Sequence, residues 1–148
     1  MSEDDPRATA WRALVETSLL LGDALERQSQ RDAGMPHSYY AALVVLSEAP
    51  ERTLRLSVLA EQARMSRSRL SHAIRSMESS GWVERRGTPG DGRGASARLT
   101  DAGAGALRRI GTRQRDELRR PALAGLSVEE AAELTRLLSQ VRSRLSGI

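Results

Sequence analysis

The sequence predicts a mainly α-helical chain with one small β-hairpin, and three observations carry that expectation. Apolar residues recur at three- and four-residue steps through most of the 148 residues, the pattern of helices with one buried stripe. Only the segment from Trp82 to Leu99 reads as two short strands around a glycine-rich turn. Aromatics are limited to Trp11, Tyr39, Tyr40 and Trp82, with no Phe, so the core must be aliphatic. The length suits one ordinary domain or two small lobes sharing a core.

The elements follow in order. Residues 1–8 are polar, and a long helix is expected from Thr9 to Arg31, with Trp11, Leu14, Leu21 and Leu25 in its stripe and Ser18 in one polar slot. Gly34 and Pro36 break it. Ser38 is placed to cap a second helix carrying Tyr40, Leu43, Val44 and Leu46, apolar almost all round and therefore buried. Thr53-Leu54-Arg55 is strand-like. Ser57 is expected to open a compact helix from Val58 to about Arg64, and Ser66 to cap another from Arg67 to Ser79, with Gly81 as its stop.

The hairpin comes next, Trp82 to Arg86 out and Ala95 to Leu99 back, with Gly87 to Gly94 as its tip. Thr100 caps a long helix that Pro121 is expected to end near Arg120. Ser127 caps the last helix, where Ala131, Leu134, Leu138, Val141 and Leu145 repeat at alternating three- and four-residue spacing, like one seam of a coiled coil.

Charge is uneven along this framework. Residues 1–51 hold four arginines against nine acids, residues 52–120 sixteen against seven, and residues 121–148 three against three. A basic middle between acidic and neutral ends points to one lobe made for a polyanion.

Absences narrow the chemistry further. There is no Cys, so disulfides, thiolate nucleophiles and Cys-ligated zinc are excluded. All 23 basic residues are arginine, which removes a phosphate-loop lysine and any lysine Schiff base. His37 and His72 are the only histidines, and neither a GxSxG nor an HExxH pattern occurs. The expectation is a protein that is not an enzyme and carries no cofactor and no metal. With so few aromatics, a stacking platform for single strands is not expected either. The longest apolar run, Tyr39 to Leu46, is far short of a spanning helix, and the acidic start does not read as a signal peptide. A soluble cytoplasmic protein is expected, with no membrane association.

Two short helices, a tight turn and a hairpin make a winged helix-turn-helix, in which the second helix enters the major groove of DNA. At about 100° per residue, Leu70, Ala73, Ile74 and Met77 of that second helix share one face. Ser68, His72, Arg75 and Ser79 occupy the opposite face, with Arg69 and Ser71 on its flanks. Glu78 is the only acid and lies toward the core-side margin. The candidate DNA contacts on this helix are Ser66, Arg67, Ser68, Arg69, Ser71, His72 and Arg75: arginines to read guanine or grip phosphate, the others for hydrogen bonds. The candidate wing contacts are Arg85, Arg86, Asp91, Arg93 and Arg98. An arginine on a thin loop can enter a narrow minor groove, and Asp91 could hold the Arg93 guanidinium in place.

These residues resemble the MarR-type winged-helix regulators. The resemblance runs from Leu56-Ser57-Val58-Leu59-Ala60 through Ser66 to His72, Met77-Glu78 and Gly81-Trp82-Val83-Glu84-Arg85-Arg86. It continues through Asp91-Gly92-Arg93-Gly94 to Leu99-Thr100-Asp101-Ala102-Gly103, and D-x-R followed by L-T-x-x-G is its most specific part. It implies that residues 66–75 enter the major groove while Arg93, positioned by Asp91, probes the minor groove. Gly92 departs from the polar residue common between that Asp and Arg, which makes this wing more flexible.

The resemblance also implies a homodimer, and the stripes of the first and last helices are longer than a small DNA lobe can cover. The expected organisation is therefore a winged helix-turn-helix flanked by N- and C-terminal dimerisation helices, with boundaries 1–36, 37–100 and 101–148. The implied function is sequence-specific binding of double-stranded DNA by a homodimeric repressor at a pseudo-palindromic operator. Release by a small aromatic or phenolic effector is implied too, with Trp11, His37, Tyr39 and Tyr40 as the candidate pocket. The alternative is a winged-helix protein-interaction adaptor with no sequence-specific DNA target.

Overall fold

Helix α1 spans Pro6–Ala33 without interruption. Asp5 caps it by accepting the Arg7 N–H, and Pro6 sits in the first turn, where its missing donor costs nothing. Gly34 ends it with a left-handed φ of 62° and a bond from its N–H to the Gln30 carbonyl. The structure, a computed structural model, describes residues 5–87 and 94–147. They fall into two compact units, one up to Thr112 and one from Arg113 onward.

In the first unit, α2 (His37–Glu48) leads through a short 3-10 turn at Pro50–Arg52 to strand β1 (Thr53–Arg55), then α3 (Leu56–Gln62) and α4 (Arg67–Ser79). Strands β2 (Val83–Arg86) and β3 (Ser96–Leu99) follow, and then α5 (Asp101–Gln114). The core is aliphatic throughout. Leu43 and Leu46 of α2, Leu59 of α3, Leu70, Ile74 and Met77 of α4, Val83, Leu99 and Ile110 are all buried. Each such side chain contributes about 1.5–3 kcal/mol of burial.

Two expected caps are corrected here. Ser38 does not cap α2, which begins one residue earlier at His37 with no side-chain cap of its own. The His37 N–H instead donates to Glu26 of α1 at 2.9 Å. Ser57 does not open α3, because the helix begins at Leu56 directly out of β1. The Leu56 N–H is satisfied by the Ala95 carbonyl at 3.0 Å. In both places a neighbouring element supplies the acceptor that a helix start requires.

The hairpin acquires a third strand. β1 and β2 both pair antiparallel with β3, which lies between them. Thr53 stands opposite Arg98 and Arg55 opposite Ser96, while Val83 faces Leu99, Glu84 faces Arg98 and Arg85 faces Ala97. The two-residue period therefore sends Leu54, Val83, Arg85, Ala97 and Leu99 to the core side. Thr53, Arg55, Glu84, Arg86, Ser96 and Arg98 take the outer side.

The base of the wing is clamped by the start of α5. Thr100 donates its hydroxyl to the Gly81 carbonyl at 2.6 Å and its N–H to the Trp82 carbonyl at 3.0 Å. It also caps α5, accepting the Gly103 N–H at 3.0 Å. Gly103 packs so closely that a Cβ there would collide with the Trp82 carbonyl oxygen.

Pro121 does not stop the chain's helical path, a further correction. After α5, a π-helical turn at Arg115–Arg119 leads into α6 (Arg120–Leu123), where Pro121 falls in the first turn. The last helix, α7 (Val128–Leu145), opens on a full capping box: Ser127 accepts the Glu130 N–H while the Glu130 side chain accepts the Ser127 N–H. None of its residues is buried.

Candidate nucleic-acid interface

The turn before α4 is built to present that helix. Arg64 adopts a left-handed φ of 54°, and the Met65 N–H bonds back to the Ala60 carbonyl at 2.9 Å. The chain is thereby reversed into Ser66, whose hydroxyl accepts the Arg69 N–H at 3.2 Å. Leu70, Ala73, Ile74 and Met77 then lock one face of α4 into the core. The wheel leaves Ser66, Arg67, Ser68, Arg69, Ser71, His72 and Arg75 outside, and the structure places all seven as exposed. Before Glu78 this helix carries no acid, so its outer face is cationic and rich in hydrogen-bonding groups.

A cleft of ≈470 Å³ opens between this face and the start of α2, lined by Tyr39, Met65, Ser68, Arg69, His72 and Arg75 among others. A phenol, an imidazole, two guanidinium groups and a hydroxyl thus converge on one space. That combination suits a planar ligand with a negative charge.

The wing residues do not form one patch. Arg86 and Arg98 lie on the outer side of the sheet and share Glu84, whose Oε2 is 3.8 Å from Arg86 and 3.5 Å from Arg98. Arg85 points to the core side and is half-buried, with its Nε shielded from solvent and without a partner. Asp91 and Arg93 lie outside the described residues.

The outer side also carries arginines that the sequence reading did not single out. Arg55 stands on the same face as Arg98, and Arg52 lines a cleft with Arg86 and Arg98 while pairing with Asp101 at 3.2 Å. The strand-like Thr53-Leu54-Arg55 was visible in the sequence, but its pairing with the returning strand of the hairpin, which decides the facing, was not.

Of the four residues considered for an effector, the structure joins two. His37 and Tyr40 stack with ring centroids 5.5 Å apart, and His37 Nδ1 lies 3.2 Å from the Oγ of the buried Ser29. Burial holds the His37 imidazole below its ordinary pKa, with the Glu26 charge opposing, and raises the Tyr40 phenol. Tyr39 lines the cleft beside α4 instead. Trp11 stands apart: counted along α1 at the helical rise, it is about 27 Å from Ser29, and it is exposed. Among the described residues no group of three or more His, Asp or Glu could hold a metal ion. No described helix is long and apolar enough to cross a membrane.

Comparison with known proteins bears on this geometry. A sequence profile of the MarR family matches residues 33–94. The solved structure of Sco3205, a MarR family transcriptional regulator from Streptomyces coelicolor in complex with DNA, is 43% identical. That match covers 97% of this chain and 93% of the other, with a TM-score of 0.82. AbsC, a MarR family transcriptional regulator from the same organism, is 32% identical over 100% of this chain and 99% of its own, with a TM-score of 0.85. BldR from Sulfolobus solfataricus, at 18% identity over 97% of this chain and 99% of its own, shares the fold with a TM-score of 0.79. No curated protein sequence matches. A continuous match of this extent to two regulators, over the same winged architecture, places the chain in the MarR family of transcriptional regulators.

Proposed function

We propose that the protein binds double-stranded DNA sequence-specifically as a homodimer and represses transcription by occluding a promoter. The observation that carries this reading is the outer face of α4. Ser68, Arg69, Ser71, His72 and Arg75 are exposed together on a helix whose opposite side is anchored in the core. Sco3205, which is similar over nearly the whole chain, was solved in complex with DNA. In this reading α4 enters the major groove, where Arg69 and Arg75 meet guanine or phosphate. Arg86 and Arg98, with Asp91 and Arg93 at the tip, belong to the wing contact. Arg85 supports the wing from its core side.

Residues 37–100 form the DNA-binding part, and residues 1–36 and 101–148 the dimerisation part. The exposed Trp11, Leu19, Leu20 and Leu21 of α1 and Leu134, Leu137 and Leu138 of α7 support that division. A two-fold dimer calls for a pseudo-palindromic operator with half-sites about 10 bp apart. The cleft beside Tyr39 is the place for a small aromatic or phenolic effector, because a ligand there engages Arg69 and Arg75 and so competes with DNA.

Fragments selected from genomic DNA by the purified protein test the reading. Arg69→Ala and Arg75→Ala should each weaken the selected duplex by about 1–3 kcal/mol where a base is read. The wild-type log Kd should rise steeply with log salt through counterion release. A shallow salt slope with no enriched fragment would favour the protein-interaction adaptor instead.

A further inference from the structure

We propose that Glu78 is a positioning residue of this interface, tying the wing to the reading helix so that the two meet a duplex at a set angle. The inference rests on the DNA-binding reading for its consequence, although the tie itself does not.

Glu78 is the one acid in α4 and lies in the helix's last turn. An anion is disfavoured there twice over, by the negative end of the helix dipole and by the duplex the neighbouring arginines suit. What it does in the structure is reach the wing: its Oε1 accepts the Arg85 N–H at 3.3 Å. β2 is an edge strand, paired only with β3. Such a strand presents every other N–H away from its partner, where it needs an acceptor from elsewhere. Glu78 supplies that acceptor.

The opposite end of the strand is held separately. Gly81, with a φ of 75°, and Trp82 form the turn out of α4, and Thr100 fixes both of their carbonyls from the α5 side. The Trp82 N–H bonds back to the Met77 carbonyl at 2.9 Å. The wing therefore has a fixed pivot at Gly81-Trp82 and a second tether at Arg85. Pairing with β3 holds β2 within the sheet, and the Glu78 bond fixes the angle between that sheet and α4. Arg86, just beyond the tether, and Arg98, opposite Glu84 between pivot and tether, both lie on the outer side and inherit their placement from it.

Glu78→Leu removes the acceptor, while Glu78→Gln keeps an oxygen at Oε1 and drops the charge. Amide exchange in the free protein should quicken about tenfold at Arg85 in Glu78→Leu and stay close to wild type in Glu78→Gln. Affinity for the duplex selected by wild type should fall about tenfold in Glu78→Leu and hold in Glu78→Gln, with circular dichroism confirming the fold of both. In a double-mutant cycle, Arg98→Ala should cost less in the Glu78→Leu background than alone. Unchanged Arg85 exchange in Glu78→Leu overturns the tether. Faster exchange with unaltered duplex affinity overturns the positioning role, as does Glu78→Gln behaving like Glu78→Leu. A wild-type protein that selects no duplex overturns the DNA-binding reading, and the exchange experiment still decides the tether.

Discussion

The lobe from α2 to α5 and the helices at the two ends of the chain treat apolar surface in opposite ways. In the lobe, Leu43, Leu46, Leu59, Leu70, Ile74 and Met77 are almost completely removed from solvent. In α1, Leu19 and Leu20 are 66% and 71% exposed, and α7 buries no residue at all. Both regions are patterned with comparable regularity. The lobe's stripes find their partners within the lobe, whereas Trp11, Leu19, Leu20 and Leu21 of α1 and Leu134, Leu137 and Leu138 of α7 stay exposed. Periodicity reports that a face is apolar; it does not report what covers it.

The sharpest way to break this contrast is to charge one of the outward stripes. Leu138→Glu should dissociate the proposed dimer, costing about 3 kcal/mol or more because a symmetric interface loses the leucine twice. Sedimentation equilibrium should then report one chain's mass where wild type gives two, and an identical mass for both proteins would sink the dimer. Ile74→Ala probes the other side of the comparison. It should lower unfolding stability by about 2–5 kcal/mol through a core cavity, seen in urea melts, and leave the association state alone.

Gly103→Ala sharpens the account of how the lobe holds its wing. The added methyl has no room beside the Trp82 carbonyl, so a loss of about 1–3 kcal/mol is expected, and a neutral melt would mean that α5 can shift freely. The smallest effect belongs to His37, at the border between α1 and the lobe. Burial lowers its folded-state pKa, so the native state takes up a proton less readily than the unfolded chain. The stabilisation is therefore full above the unfolded value of about 6.5 and is lost as pH falls through and below it. Thermal melts between neutral and mildly acid pH should show wild type losing more Tm than His37→Gln.

Much of the lobe was legible in the sequence because its signals are local. The span of α4, its Ser66 cap and its buried quartet follow from one capping residue and one wheel, and Ser127 marks the start of α7 in the same way. What was illegible depended on partners distant in the chain. Ser38 and Ser57 looked like caps, but Glu26 and the Ala95 carbonyl satisfy those helix starts from other elements. The facing of Arg85 against Arg86 required the register with β3, which no composition reveals. Pro121 looked like a stop because the π-helical turn that accommodates it has no sequence signature of its own.

Glu84 Oε2 stands within ion-pair distance of both Arg86 and Arg98, so in the proposed wing contact an arriving phosphate would find side chains already drawn together around an oxygen of its own kind. Docking there would be an exchange of anions rather than the gathering of two loose arms, with less rotational freedom surrendered on contact. The displaced carboxylate would then stay beside the newcomer and repel it, so the same residue that readies the proposed grip would also limit its strength and leave it easy to undo.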